Sequence, residues 1–233
     1  GVSPAPWDSL NLGISRGDSD ENVRENYRRF CAAVGVTAES TVFTQQTHSE
    51  NIRLVTEQDA GKGLLRPRDY TEVDALITDT PGLSLVVFSA DCGTILLYDP
   101  VHRAIGAVHA GWRGVAAGLV AKTALKMHDT FGTEPKDLLC ALGPAIGPCC
   151  FETDDDVPAA DGLHADALRL LVVLVGDQIE RVRVFHVAGV DGREDDFRGV
   201  GRERVNEDTV GPVADAGLGQ RAVEDDLIAV GLR

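Results

Sequence analysis

The sequence is short of basic and aromatic residues. Among its 233 residues, 22 are Lys or Arg against 37 Asp or Glu, and only 5% are aromatic. A formal net charge of −15 leaves no clustered basic surface of the kind that binds a nucleic-acid backbone or an anionic membrane. The composition therefore argues against nucleic-acid and membrane partners, and it favours small molecules or proteins.

Long hydrophobic runs and a secretion signal are also lacking. The longest apolar stretch, Leu83 to Ser89, is far shorter than the roughly 20 residues that a membrane span needs, and no basic segment followed by an apolar one opens the chain. The five cysteines are an odd number, which argues against a disulfide framework in such a chain. These features predict a cytoplasmic protein in a reducing compartment.

The composition changes near Phe151. All lysines, both tryptophans and all cysteines come before this residue, and the part that follows is strongly acidic. We therefore expect a catalytic core over residues 1–152. Residues 153–233 are expected to be either a divergent acidic part of the same domain or a frameshifted tail.

Strands dominate the predicted secondary structure. One helix is predicted from Asp20 to Val34, capped by Asp18 or Ser19, and a second from about Arg113 to Phe131 with Gly132 as its C-cap. Short apolar runs bounded by Gly, Pro and Asp predict strands: Thr41 to Thr47, Asn51 to Val55, Val73 to Thr78, Leu83 to Ala90, Thr94 to Tyr98, Ala104 to His109 and Leu138 to Leu142. The second of these strands is expected to pair with the first. Because strands and helices do not alternate regularly, we predict a single α/β (α+β) domain with mixed β-sheets flanked by helices.

Three predicted strands end in residues that bind metal ions. His48 follows the first strand, Cys92 follows the apolar run through Ala90, and His109 ends a strand just before Gly111. Their separations of 44 and 17 residues differ from those of a zinc finger. Two His and one Cys still suit Zn²⁺ and leave a fourth position open for water or substrate. A pair with Cys92 as nucleophile and a His as base is the rival chemistry.

Each of these segments also has a purely structural interpretation. His48 would then be a residue of the surface or of the core edge. Cys92 would be a small core residue in a tight turn where Asp91 bonds backbone amides; in the functional interpretation, Asp91 orients or polarises a neighbour.

In the structural interpretation of the third segment, Gly111 and Gly114 would only allow close packing of strand against helix, with Trp112 in the core. In the functional interpretation, Arg113, beside a helix start, binds phosphate or carboxylate. Asn11 either places an amide in a site or forms a common turn.

Six motifs occur in an order that resembles the YfiH family. Members of this family are labelled laccase-domain or polyphenol oxidase proteins and are described as purine nucleoside phosphorylases, some of them as peptidoglycan editing factors. The motifs are Ser9-Leu10-Asn11-Leu12-Gly13, Gln46-Thr47-His48, Val73-Asp74-Ala75, Ala90-Asp91-Cys92, His109-Ala110-Gly111-Trp112-Arg113-Gly114 and Leu142-Gly143-Pro144-Ala145-Ile146-Gly147-Pro148.

The resemblance implies a zinc enzyme of the cytosol. It implies an α/β fold with mixed sheets and a zinc ion bound by His48, Cys92 and His109. It also implies phosphate-dependent cleavage of adenosine, inosine and methylthioadenosine to base and ribose 1-phosphate, with adenosine deaminase side activity. Copper is the alternative metal through the laccase label, but this chain has no His-x-His pair of the kind that multicopper enzymes use.

Further site roles follow from the same resemblance and from what phosphorolysis requires. Asn11, Gln46 and Arg113 are expected to bind substrate, with Arg113 holding phosphate. Asp91, Cys92 and Arg113 are expected to take part in catalysis, with Asp91 or a zinc-bound water assisting at the purine. The expected partners are purine nucleosides and phosphate, and the expected state is a monomer or a weak homo-oligomer.

Two regions depart from the family pattern. Relative to the family pattern, we expect the strand with an Arg-Gly-Gly-type end that normally comes before the residues matching Gly1 to be missing, and no Cys follows Cys150. These departures keep two other hypotheses open. One is a Cys–His amidohydrolase that edits peptidoglycan precursors with Cys92 as nucleophile, and the other is an inactive metal-binding remnant.

Overall fold

The computed structural model describes residues 1–8, 10–146, 150–151, 183–186 and 228–232. Its helices are α1 (Asp20–Ala33), α2 (Trp112–Ala116) and α3 (Leu119–Phe131). Its strands are β1 (Thr41–Phe43), β2 (Ile52–Leu54), β3 (Ala75–Thr78), β4 (Ser84–Phe88), β5 (Gly93–Asp99), β6 (Ala104–Ala110), β7 (Leu139–Leu142), β8 (Arg183–His186) and β9 (Ile228–Leu232). Within these ranges, no helix has the length and apolar character needed to cross a membrane.

The described strands form two sheets. The larger has six strands in the order β2-β3-β6-β5-β7-β8; its two outer pairs are parallel and its inner pairs are antiparallel. The smaller sheet has the order β1-β4-β9 and is parallel. The prediction of an α/β domain with mixed sheets flanked by helices is confirmed.

The two sheets pack against each other and lie between helices, because successive side chains of a strand point to opposite faces of its sheet. On β3, Ile77 packs with Met127 of α3, whereas its neighbour Leu76 packs with Leu85 of β4. The larger sheet therefore has α3 on one face and the smaller sheet on the other. Helix α1 covers the remaining face of the smaller sheet, where the ring centroids of Tyr27 and Phe43 lie 5.3 Å apart.

Two details of the predicted secondary structure were wrong. Strand β2 pairs with β3 rather than with β1, in parallel and with Ile52 opposite Ala75. The long helix predicted from Arg113 is two helices, because Gly118 adopts a left-handed conformation (φ 73°) between α2 and α3, which interrupts an α-helix. Gly132 does end α3, as predicted.

Several sequence predictions fall partly outside the described residues. Ser9 in the first motif and residues 147–148 in the last belong to this group, as do residues 149, 152–182, 187–227 and 233. The division of the chain near residue 152 therefore stays a prediction.

Candidate metal centre

Three ligand atoms converge at one end of the larger sheet. His48, Cys92 and His109 each offer one ligand atom, and these atoms all lie within 4.8 Å of one another. Sγ of Cys92 lies 3.6 Å from Nε2 of His48, and the two imidazole centroids are 5.0 Å apart. Within the described part of the chain, this is the one group of His, Cys, Asp and Glu side chains found close enough together to hold a metal ion.

Strand register explains why ligands so distant in sequence meet. In the antiparallel pair β5–β6, Gly93 lies opposite Ala110. Cys92, which directly precedes β5, is therefore beside the end of β6 that carries His109. On the other side of β6, the backbone N–H of His109 donates to the carbonyl of Asp74 at 2.8 Å, which places Asp74 next to the same histidine.

The Asp74 carboxylate forms hydrogen bonds both to His109 and to the backbone around His48. It is fully buried and accepts hydrogen bonds from the backbone N–H groups of Thr47, His48 and Ser49 at 3.0, 3.1 and 2.8 Å. It also pairs with Nδ1 of His109 at 2.7 Å. Because Nδ1 faces a carboxylate, Nε2 of His109 is left for a metal ion, an arrangement typical of metal-binding histidines.

Sequence reasoning gave Asp74 no role of its own. It appeared only within the motif Val73-Asp74-Ala75. The signal that was available is a charged residue placed at the start of a predicted buried strand, since an aspartate is almost never fully buried unless it has partners.

Hydrogen bonds rather than burial decide the charge of Asp74. Burial raises the pKa of this carboxyl, but hydrogen bonds from His109, Thr47 and Ser49 outweigh it and lower the pKa to about 2. For His109, burial lowers the pKa, whereas the neighbouring Asp74 and Cys92 raise it, with a net value of about 9. Asp74 is therefore ionised at neutral pH, and five hydrogen-bond donors surround its charge.

His48 and Gly111 fit closely against each other. His48 has a left-handed backbone (φ 61°), which is uncommon for a residue other than glycine. A Cβ atom at Gly111 would lie 2.4 Å from Cδ2 of His48 and 3.3 Å from Sγ of Cys92. A residue without a side chain is therefore required where the chain passes these two ligands.

Asp91 and Arg113, predicted for catalysis, are both exposed, and each lies close in sequence to one of the three clustered residues. Asp91 directly precedes Cys92, and its carbonyl accepts a hydrogen bond from the N–H of Ile146 at 2.9 Å. Arg113 lies in α2, two residues after Gly111, with its guanidinium carbon 4.2 Å from the centroid of the Trp112 ring. Their catalytic roles stay predictions.

Asn11 and Gln46, predicted to bind substrate, make hydrogen bonds within the protein. Nδ2 of Asn11 donates to Asp18 at 3.0 Å, and its Oδ1 accepts from the N–H of Gly13 at 3.0 Å. The amide of Gln46 bonds both the N–H and the carbonyl of Phe88, at 2.7 and 2.8 Å. These contacts shape the local structure, and the substrate-binding role of both residues stays a prediction.

Similarity to known proteins covers the part of the chain that builds this centre. A family model described as multi-copper polyphenol oxidoreductase laccase matches residues 1–170. The chain belongs to this family. Membership in this laccase family, together with the relatives below, confirms the resemblance carried by the six motifs.

Curated relatives of this laccase-family chain are named as phosphorylases. Purine nucleoside phosphorylase YlmD of Geobacillus stearothermophilus is 37% identical over 161 residues, which cover 67% of this chain and 58% of the relative. Purine nucleoside phosphorylase YfiH of Escherichia coli K12 is 36% identical over 160 residues, or 69% of this chain and 60% of the relative. The matched part of the chain thus spans less than two thirds of the length of these relatives.

Solved structures of laccase-family proteins share the fold. YfiH of Bacillus licheniformis has a TM-score of 0.70 and 29% identity, with 79% of this chain and 78% of that chain covered. YlmD of Geobacillus stearothermophilus has a TM-score of 0.66 and 31% identity, with 78% and 76% covered.

The donor set of two His and one Cys suits a transition metal. Two imidazole nitrogens and one thiolate are common zinc ligands. Two His and one Cys also bind copper in electron-transfer sites, usually with a weak axial methionine. The single methionine of the chain, Met127, is fully buried in the core between α3 and the larger sheet, so it is not placed to supply that ligand.

Proposed function

We propose that this chain is a zinc-dependent purine nucleoside phosphorylase. The observation that carries the proposal is the cluster of His48, Cys92 and His109. It occurs in a laccase-family chain whose relatives are named purine nucleoside phosphorylases. In the proposed reaction, a phosphate oxygen forms a bond to the ribose C1′ while the bond from C1′ to the purine breaks. The substrates are adenosine, inosine and methylthioadenosine. The products are a base that has gained a proton and ribose 1-phosphate, or its 5-methylthio derivative in the case of methylthioadenosine.

The three clustered side chains would hold the zinc ion. When bound, zinc supplies Lewis-acid polarisation and lowers the pKa of water. Asp74 orients the His109 imidazole through Nδ1 and holds the backbone that carries His48, so both are in place before substrate arrives. We assign the adenosine deaminase side activity, in which the oxygen of water replaces the purine 6-amino group and ammonia leaves, to the same site.

Arg113 is proposed to bind phosphate, and either Asp91 or water activated by the metal is proposed to assist at the leaving purine. Two observations support the assignment of Arg113. Arg113 is exposed. It also lies two residues after Gly111, where an added Cβ would contact both His48 and Cys92. Arg presents a planar fork of N–H donors that matches the oxygens of phosphate.

Replacing Arg113 with alanine is expected to raise the KM for phosphate about tenfold or more, because a hydrogen bond to a charged group contributes roughly 1.5–3 kcal/mol. Arg113→Lys should give an intermediate value, since lysine keeps the charge without the fork. Arg28→Ala, on the exposed surface of α1, is the control. Steady-state rates at varied phosphate check this, and an unchanged phosphate dependence removes Arg113 from the role.

The direct assay of the proposed function is release of base from inosine and adenosine with and without phosphate. The expected release depends on phosphate, stops when a chelator removes the metal and returns with added zinc. Equal release without phosphate contradicts phosphorolysis. Bound zinc without turnover of any nucleoside would instead favour an inactive metal-binding remnant.

A Cys–His amidohydrolase acting on peptidoglycan precursor peptides is the second candidate. The observation that favours it is the distance of 3.6 Å between Sγ of Cys92 and Nε2 of His48, which suits a nucleophile and its base.

Alkylation of Cys92 separates the two candidates. A thiolate bound to zinc is a poor free nucleophile, so iodoacetamide is expected to label Cys92 only after chelation. The exposed Cys150 serves as the reference label, and the buried Cys140 as an internal negative. Rapid labelling of Cys92 in the presence of zinc, together with peptide hydrolysis, would favour the amidohydrolase.

The cellular setting is also proposed. Cys31, Cys92 and Cys140 form no disulfide, which suits a reducing compartment such as the cytoplasm, and we propose a monomer or a weak homo-oligomer there.

A further inference from the structure

We infer that Gln46 is a positioning residue that sets the affinity of the centre for zinc. It connects residues 46–48, the His48 segment, with residues 88–92, the Cys92 segment. The inference rests on the proposed zinc centre. It assigns to the Gln46 side chain a structural partner, the backbone of Phe88, in place of a substrate.

Backbone pairing between the two segments stops short of the ligands. Strands β1 and β4 are paired in parallel as far as Phe43 and Val86, and the N–H of Thr44 still donates to the carbonyl of Val86 at 3.1 Å. The next residue, Gln45, turns away and forms an antiparallel bridge with Val73 instead. From this point on, the chain that leads to His48 pairs with the chain that leads to Asp74.

The Gln46 side chain bonds the next residues of β4 in place of the backbone. Its Oε1 accepts from the N–H of Phe88 at 2.7 Å, and its Nε2 donates to the carbonyl of Phe88 at 2.8 Å. These are the two backbone groups that a neighbouring strand would bond. Oε1 also accepts from the hydroxyl of Thr44 at 2.7 Å, so the orientation of the amide is fixed on both sides.

This contact lies directly before two of the three ligands. His48 is two residues beyond Gln46, and Cys92 is four residues beyond Phe88. The turn between Phe88 and Cys92 is closed by Ser89, whose hydroxyl donates to the carbonyl of Cys92. A shift of the end of β4 is therefore passed on to Cys92.

Two tethers thus act on the His48 segment. Asp74 holds it to His109, and Gln46 holds it to the strand that leads to Cys92. Loss of the second tether is expected to let the thiolate and the His48 imidazole separate, so that zinc binding must bring them together again. Conformational freedom that is lost only on binding lowers affinity.

The test uses Gln46→Met, which keeps the length of the side chain without its hydrogen bonds. Thr78→Val is the control. The Thr78 hydroxyl likewise donates to a backbone group, the carbonyl of Val55 at 2.7 Å, but Thr78 lies at the end of β3 far from the ligands. The Kd for zinc, measured by competition with a chromophoric chelator, is expected to rise about 10- to 100-fold in Gln46→Met. It should stay at the wild-type value in Thr78→Val.

Hydrogen exchange in the metal-free proteins gives a second readout that needs no zinc. In Gln46→Met, the amide of Phe88 and those of residues 91–92 are expected to exchange faster, and in Thr78→Val they should exchange as in the wild type. Equal zinc affinity in Gln46→Met and wild type, or an equal loss in both variants, overturns the inference. A wild-type chain that takes no zinc contradicts the proposed function instead, and the exchange result then decides whether Gln46 tethers the two segments.

Discussion

Replacing Asp74 with asparagine is expected to lower the affinity for zinc about 10- to 100-fold and the free energy of unfolding by roughly 3–5 kcal/mol. Both oxygens of this buried carboxylate face only donors. Oδ1 accepts from the backbone of His48 and pairs with His109, and Oδ2 accepts from Thr47 and Ser49. Whichever way an asparagine amide is turned, its NH₂ group meets N–H donors, so bonds to both histidine segments are weakened together.

Asp99→Asn provides the matched control for this change. Asp99 is also fully buried, accepts backbone bonds from Val101 and His102 at 2.8 and 3.1 Å, and pairs with the His102 imidazole at 2.8 Å. It lies at the end of β5 opposite to Cys92. Chemical denaturation is expected to show a loss of stability in both variants, whereas chelator competition should show weakened zinc binding in Asp74→Asn alone. Equal zinc affinity in the two variants would contradict the role given to Asp74.

Alanine at position 111 is expected to abolish zinc binding while leaving the fold intact. The backbone of Gly111 has φ −68° and ψ 162°, which alanine adopts without strain. The added Cβ would lie 2.4 Å from Cδ2 of His48, so the ring must move. His48 is exposed, and its ring can swing into solvent at little cost in packing. One ligand is then lost, and the centre with it.

Gly93→Ala is the control for this substitution, since Gly93 also lies beside the ligands. A Cβ there would be 3.6 Å from its nearest neighbour, the carbonyl oxygen of Ala110, which is an ordinary contact. Elemental analysis should find zinc in Gly93→Ala and none in Gly111→Ala, and the two variants should have similar melting temperatures once a chelator has removed the metal. Retention of zinc by Gly111→Ala would show that His48 is not required in the position described.

The sequence allowed the cluster of His48, Cys92 and His109 to be predicted, because each residue stands where an apolar strand ends. His48, Cys92 and His109 interrupt or end runs that read as buried strands, and their residue types suit one metal. The register that brings them together places Gly93 opposite Ala110. It could not be predicted from the sequence, since register depends on the whole sheet rather than on local pattern.

The predictions from sequence failed mainly for features that depend on tertiary contacts. The segment around Ile52 lies close in sequence to β1, yet it pairs with β3, because nearness along the chain is only a tendency in strand pairing. Gly118 lies within a helical pattern, where a single glycine costs only about 1 kcal/mol, so its left-handed conformation gave no signal. The roles of Asp74 and Gln46 depend on contacts across 35 and 42 residues, which no local motif encodes.

The metal content of the purified chain and of its Cys92→Ala variant tests the central claim most directly. Elemental analysis is expected to find about one zinc ion per wild-type chain and none in Cys92→Ala. Cys140→Ala, which alters a buried cysteine of β7, should keep the wild-type content. Zinc retained by Cys92→Ala, or no metal in the wild type together with a freely reactive Cys92, would contradict a metal centre formed by His48, Cys92 and His109.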